Sequence, residues 1–171
     1  MKIPWHRLIA VWEIIGGIAG AAMHLSPMIH TLPKTRITEW PFVDLLFIAL
    51  YTLGAISGLL LWNRGASGIT LSKLIQLLQI PDIVAKGIAY RLVMILSIPV
   101  GLEVNQPQSI LRYGIDWGFR FTLEQYAPKE FLLLQINLIA LVIFILLFFI
   151  PVKKIPYTEK IEKRGELLFS E

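Results

Sequence analysis

Cysteine is absent from the 171 residues. Disulfide staples, thiolate metal sites and cysteine nucleophiles are therefore excluded. Charge is scarce: Asp, Glu, Lys and Arg make up 16% of the chain, where a soluble domain averages about a quarter. Hydrophobic residues make up 56%, and mean hydropathy is +0.66. That leaves too little polar surface to clothe a water-soluble domain of this length, so apolar surface must face lipid or a partner. No Walker A loop, paired-glycine dinucleotide loop or Gly-x-Ser-x-Gly elbow occurs. Nor is there a His-Glu-x-x-His pair, an acidic cluster for a metal-bound diphosphate, or an internal repeat. Neither cofactor nor metal is expected.

What the chain has is apolar runs. Residues 131–152 carry no charge until Lys153 and Lys154. A helix needs about 20 residues to cross ~30 Å of hydrocarbon, so this run is long enough. Residues 45–62 form a second uncharged run, flanked by Trp40 and Trp62 at interface depth. The first run, about 8–28, contains one charge, Glu13. A cleaved signal peptide would not place an acid in its apolar core, so a retained helix is expected. Residues 87–104 hold Arg91 and Pro99. They can cross only if Arg91 reaches back toward headgroups, and are otherwise re-entrant or interfacial.

Between the second and third runs, residues 69–80 have Leu71, Leu74, Ile75 and Leu78 on one side and Ser72, Lys73, Gln76 and Gln79 on the other. This spacing predicts an amphipathic helix, stopped by Pro81, lying along the membrane surface or on the bundle. From Tyr113 to Leu123, aromatic and aliphatic residues alternate strictly with small or polar ones. That is strand periodicity, read as an extended aromatic outer loop or a hairpin bending at Gly118.

The expected fold is all-α: a polytopic membrane protein with a bundle of four transmembrane helices, one amphipathic interfacial helix and that outer loop. It would form one transmembrane domain, 1–152, and a charged tail, 153–171. Net charge is +4. Its lysines and arginines concentrate in the N-terminus, the 63–86 loop and the tail, which predicts both termini in the cytoplasm. The basic excess reads as membrane-flanking charge with affinity for anionic lipid, and a nucleic-acid partner is not expected.

Glu13 and Arg91 are the candidate intramembrane ion pair or polar path, because four spans would hold them at matched depth. Gly16 and Gly20, and Gly54 and Gly58, place small residues one turn apart for helix packing. His24, His30, Glu103 and Asp116 would share the outer side, without metal-ligand spacing. Tyr113, Trp117, Phe119 and Phe121 form the candidate partner face. Gln135 and Asn137, two apart in a helix, would lie on different faces. The leading expectation is a non-catalytic accessory or assembly subunit of a membrane complex, with the bilayer and other membrane subunits or further copies as partners. The alternatives are a small oligomeric transporter or channel through Glu13 and Arg91, and an intramembrane lipid-modifying enzyme using the His24, His30, Glu103, Asp116 set.

Overall fold

The computed structural model describes residues 4–31, 41–85, 88–105, 108–124 and 131–153. Three helices come first: α1 (Trp5–Thr31), α2 (Pro41–Trp62) and α3 (Ala66–Gln79). Six strands follow, β1 (Pro81–Ala85), β2 (Ile88–Ser97), β3 (Pro99–Asn105), β4 (Gln108–Tyr113), β5 (Asp116–Glu124) and β6 (Phe131–Asn137). The short helix α4 (Leu138–Leu146) and a 3-10 turn at Leu147–Phe149 complete the described chain.

The chain is therefore not an all-α bundle of four spanning helices. All six strands pair antiparallel in the order β4-β3-β6-β1-β2-β5, and the sheet curls into half a barrel. Among the described residues, α1 over Trp5–Ser26 and α2 over Leu45–Trp62 alone have the length and hydropathy to cross a bilayer. The expected third span, 87–104, is β2 and β3 joined through Ile98. Its uncharged stretch, 92–102, is too short to cross a bilayer alone as a helix, and as strands its residues two apart share a face. The expected fourth span, 131–150, is split at Asn137. That side chain accepts from the Ile139 and Ala140 amides, which starts α4 at Leu138. Nine helical residues reach only about 14 Å, so α4 cannot cross. The Asn137 oxygen also accepts from the Ile98 amide at 3.3 Å, fixing the corner where β2 turns into β3. The expected outer loop is part of the sheet: Tyr113 closes β4, and Trp117, Phe119 and Phe121 lie in β5, which pairs with β2 and not with β4.

The register sorts the sheet into two faces. Asp82 stands opposite Arg91 and Gln135, and Gln135 opposite Gly101. These residues share one face with Glu103 and Asn137, two positions along their strands. Asp82, Glu103, Gln135 and Asn137 on it are all buried. The other face carries Ile83, Leu102, Leu134 and Ile136, each exposed, and Leu92 and Met94, which pack on Phe47, Tyr51 and Ile75 of the helices. The curled sheet thus gathers its polar residues on one face, while the other is apolar, exposed at these positions of β1, β3 and β6 and covered by the helices at Leu92 and Met94.

α3 is turned the same way. Its buried residues are Gly68, Ile69, Ser72, Ile75, Gln76 and Gln79, while Leu74 and Leu77 are each 50% exposed. The expected helix is present, but Ser72, Gln76 and Gln79 face inward. Within β2, Ile95 has φ 70° opposite Gly118 at φ 112°. A β-branched residue in the left-handed region is strained, and the kinked pair interrupts regular strand geometry there.

The helical hairpin depends on glycine. A Cβ on Gly17 would lie 2.3 Å from the Ala55 amide nitrogen and 2.5 Å from the Tyr51 carbonyl, and one on Gly20 would strike the Tyr51 ring. A Cβ on Gly58 would meet the Ala10 carbonyl at 2.6 Å. Gly16 and Gly54 face Met94 of β2 instead. Both glycine pairs are thus occupied within the chain. Gly17→Ala should lower stability by about 1–3 kcal/mol or more, despite the better helix propensity of alanine, because backbone atoms must move. Gly114→Ala, with nothing within 4 Å of its Cβ, should change stability by less than about 0.5 kcal/mol. Thermal unfolding of the detergent-solubilised chain measures both, and equal effects would refute the close helix approach.

Candidate functional site

Glu13 is fully buried where α1, α2 and α3 meet. Ser57 Oγ lies 2.9 Å from its Oε2, Ser72 Oγ donates to Oε2 at 2.7 Å, and Gln76 Nε2 donates to Oε1 at 3.0 Å. The hub is reachable because Ser57 lies beside Gly58, whose missing side chain lets α2 approach Glu13 itself. Ser72 and Gln76 are four apart on α3 and so share its inward side. Ser57 Oγ also contacts the Gly54 carbonyl at 2.7 Å. A hydroxyl has one proton, and a carbonyl only accepts. Ser57 Oγ can thus give its proton to Glu13 Oε2 or to the Gly54 carbonyl, while Ser72 and Gln76 donate to the carboxyl in either case. The site then holds every polar atom of Glu13 with groups of the same chain.

Arg91 has other partners. Its guanidinium pairs with Asp82 and, at 3.0 Å, with Asp116, and donates to Gln135 Oε1 at 3.3 Å. Four strands, β1, β2, β5 and β6, are cross-linked by this one side chain. The Asp82 side chain is 7% exposed and that of Asp116 34% exposed. The Asp82 pair is accordingly the one shielded from solvent screening. On the far side of the same face, buried Glu103 pairs with exposed Arg112.

Glu13 and Arg91 are therefore not partners. Depth-matching them required Arg91 to lie on a third spanning helix, and it lies on a strand. The outer polar cluster is dispersed. His24 stacks on Tyr51 at 5.6 Å and meets Phe47 edge-on at 5.3 Å. Glu103 and Asp116 are held by separate arginines. The His30 side chain lies outside the described residues. Among the aromatic residues, Phe119 packs against the Tyr51 cluster, with ring centroids 6.4 Å apart, while Tyr113 and Trp117 project outward. The backbone of Phe121 pairs with Leu92, and its side chain is outside the described set.

Sequence reading missed Ser57, Ser72, Gln76, Asp82 and Gln135 as partners. The signal for Ser72 and Gln76 was present as a polar stripe on α3, which was assigned to water. Gln135 and Asn137 were separated by assuming a helix, and a strand puts them on one face. Outside the helical hairpin, burial pushes the Tyr90 phenol above its usual range, and its hydroxyl donates to the Leu78 carbonyl at 2.6 Å. No family model, curated protein or solved structure matches the chain.

Two tests follow from this geometry. Glu13→Gln keeps an acceptor and a donor in place and should stay within about 1 kcal/mol of the native chain. Glu13→Ala leaves the Ser72 hydroxyl and the Gln76 amide without their acceptor and should cost several times more, read by thermal unfolding in detergent. Arg91→Met leaves Asp82 buried without a counter-charge and should cost about 3–5 kcal/mol, part of which Asp82→Asn restores. The exchange Glu13→Arg with Arg91→Glu should be worse than either single change. Recovery in that double variant would sink the assignment of separate partners.

Proposed function

We propose that the chain is a membrane protein anchored by the α1–α2 hairpin, and that it is a non-catalytic assembly subunit of a membrane complex. The observation that carries this is the orientation of α3. In water, an amphipathic helix buries leucine and exposes glutamine. Here Ser72, Gln76 and Gln79 are inside while Leu74 and Leu77 face out. That arrangement is favourable where the surroundings are hydrocarbon and polar groups must find partners within the protein. The outward residues of α1 and α2, among them Ile15, Ile18, Leu53, Ile56 and Leu59, are consistent with the same medium.

The assembly role rests on what remains unpaired. Glu13 and Arg91 are engaged by their own chain, which disfavours a polar path through them. Among the described residues the sheet has open edges at β4 and β5, and every residue of β4 is exposed. Open edges are natural templates for another strand, and lipid cannot satisfy them. Another subunit bearing a strand is the occupant that both constraints favour. Both described ends of the chain lie together, since the Lys153 amide donates to the Arg64 carbonyl at 3.1 Å beside the start of α1. The basic excess at that end supports a cytoplasmic location for both termini.

The expressed chain should stay in the pellet through alkaline carbonate extraction, and in mild detergent it should run as a particle heavier than one 19.4 kDa chain plus detergent. Leu74→Lys with Leu77→Glu should cost roughly 2.5 kcal/mol or more per site if lipid covers α3. A neutral or stabilising double change, together with solubility after carbonate treatment, would overturn the membrane reading. A monodisperse single chain in mild detergent would overturn the assembly role alone.

A further inference from the structure

Three distant stretches of chain meet at one end of the helices. The cluster Ile9, Ala10, Leu61, Ile69 and Leu147 forms its floor. Above that floor the Arg7 guanidinium lies 5.2 Å from the centre of the Trp62 ring, and Lys73 Nζ lies 3.6 Å from that of Phe148. His6 is within Coulombic reach of both Arg7 and Arg64. The Lys153–Arg64 backbone hydrogen bond brings a fourth basic residue to the same corner. The segments that converge, 4–12, 61–73 and 147–153, contain no aspartate or glutamate. Among the described residues, no carboxylate pairs with any of these cations.

Two details point outward. Arg64 has φ 56°, the left-handed position after a helix end that glycine or asparagine fills most easily, yet a long cation stands there. In the converging segments Trp5 is 70% and Phe149 77% exposed. Aromatic rings interleaved with unpaired cations at the end of an apolar helical hairpin match a bilayer interface, where the rings sit among glycerol and acyl groups and the cations meet phosphate.

We infer that this corner, built by Arg7, Arg64, Lys73 and Lys153 with Trp5 and Trp62, is a binding surface for anionic phospholipid headgroups. The inference rests on the membrane reading above and adds a lipid class to it. Charge complementarity selects the occupant. A zwitterionic headgroup offers its phosphate together with a compensating ammonium, whereas an anionic one offers uncompensated charge to four cations that have no carboxylate partner among the described residues. Arg7 and Lys73, each held over an aromatic ring, are already ordered for the contact, which lowers the entropic cost of binding.

The test uses the full chain in mild detergent, titrated with dioleoyl phosphatidylglycerol or dioleoyl phosphatidylcholine and read by native mass spectrometry. Phosphatidylglycerol should be retained preferentially. In Arg7→Gln/Arg64→Gln/Lys153→Gln the preference should fall by roughly fivefold per charge removed. The charge-keeping set Arg7→Lys/Arg64→Lys/Lys153→Arg should retain most of it, which separates loss of charge from loss of fold. Equal retention of the two lipids by the native chain, or a preference unchanged in the glutamine set, would overturn the inference. A native chain that remains in the carbonate pellet yet shows equal retention would sink the lipid surface and leave the membrane reading standing. Release into the carbonate supernatant would sink both.

Discussion

The structure depends on polar groups having their partners inside. Glu13 is the clearest case: one carboxyl, surrounded by Ser57 of α2 and Ser72 and Gln76 of α3, decides how three helices are rotated. If α3 turned to bury its leucines, Ser72 and Gln76 would leave the carboxyl, and its desolvation would go unopposed. The hydrogen bonds therefore set which face of α3 is inside, and Leu74 and Leu77 face outward as a consequence. Small residues make the arrangement possible, since Gly17, Gly20 and Gly58 let the α1 and α2 backbones approach closely enough for Ser57 to reach the hub.

The same logic governs the sheet. Arg91 draws Asp82, Asp116 and Gln135 onto one face of four strands, and Glu103 with Arg112 extends that face across β3 and β4. The alternating positions are left apolar. Asn137 joins this layer to α4 by capping the helix and bonding the Ile98 amide at the β2–β3 corner. Loss of that cap would free both the corner and the start of α4, so the last apolar segment is short because a polar side chain interrupts it.

With Glu13, Arg91 and Gln135 paired inside, Asn137 Nδ2 left without a partner among the described residues, and many aliphatic groups outside, the molecule resembles a soluble protein turned inside out. This is why an assembly role in a membrane is favoured over chemistry or transport at Glu13 and Arg91, whose hydrogen-bonding capacity the chain itself takes up. Among the described residues the groups at the edges stand without partners: the outer strands β4 and β5, and the cationic, aromatic corner where α1, α2 and the segment after α4 meet. Strand edges suit a protein neighbour, and the corner suits a headgroup layer, so the two surfaces fit one protein standing at a membrane interface.

Composition, the two spanning-length runs 8–28 and 45–62, the helix after residue 66 and the extended run from Tyr113 were legible in the sequence, because each is a local property of length or period. The glycine spacing announced close packing for the same reason. The fate of 87–104 and 131–137 was not legible. Apolar residues on both faces fit a helix and a strand equally well, and only pairing decides between them: β2 between β1 and β5, β3 between β4 and β6, and β6 between β1 and β3. Glu13 and Arg91 could be singled out as charges needing partners, but the sequence does not say which partners. That choice belongs to the tertiary structure, because a hydrogen bond joins groups that are near in space, and Ser72 lies 59 residues from Glu13 along the chain.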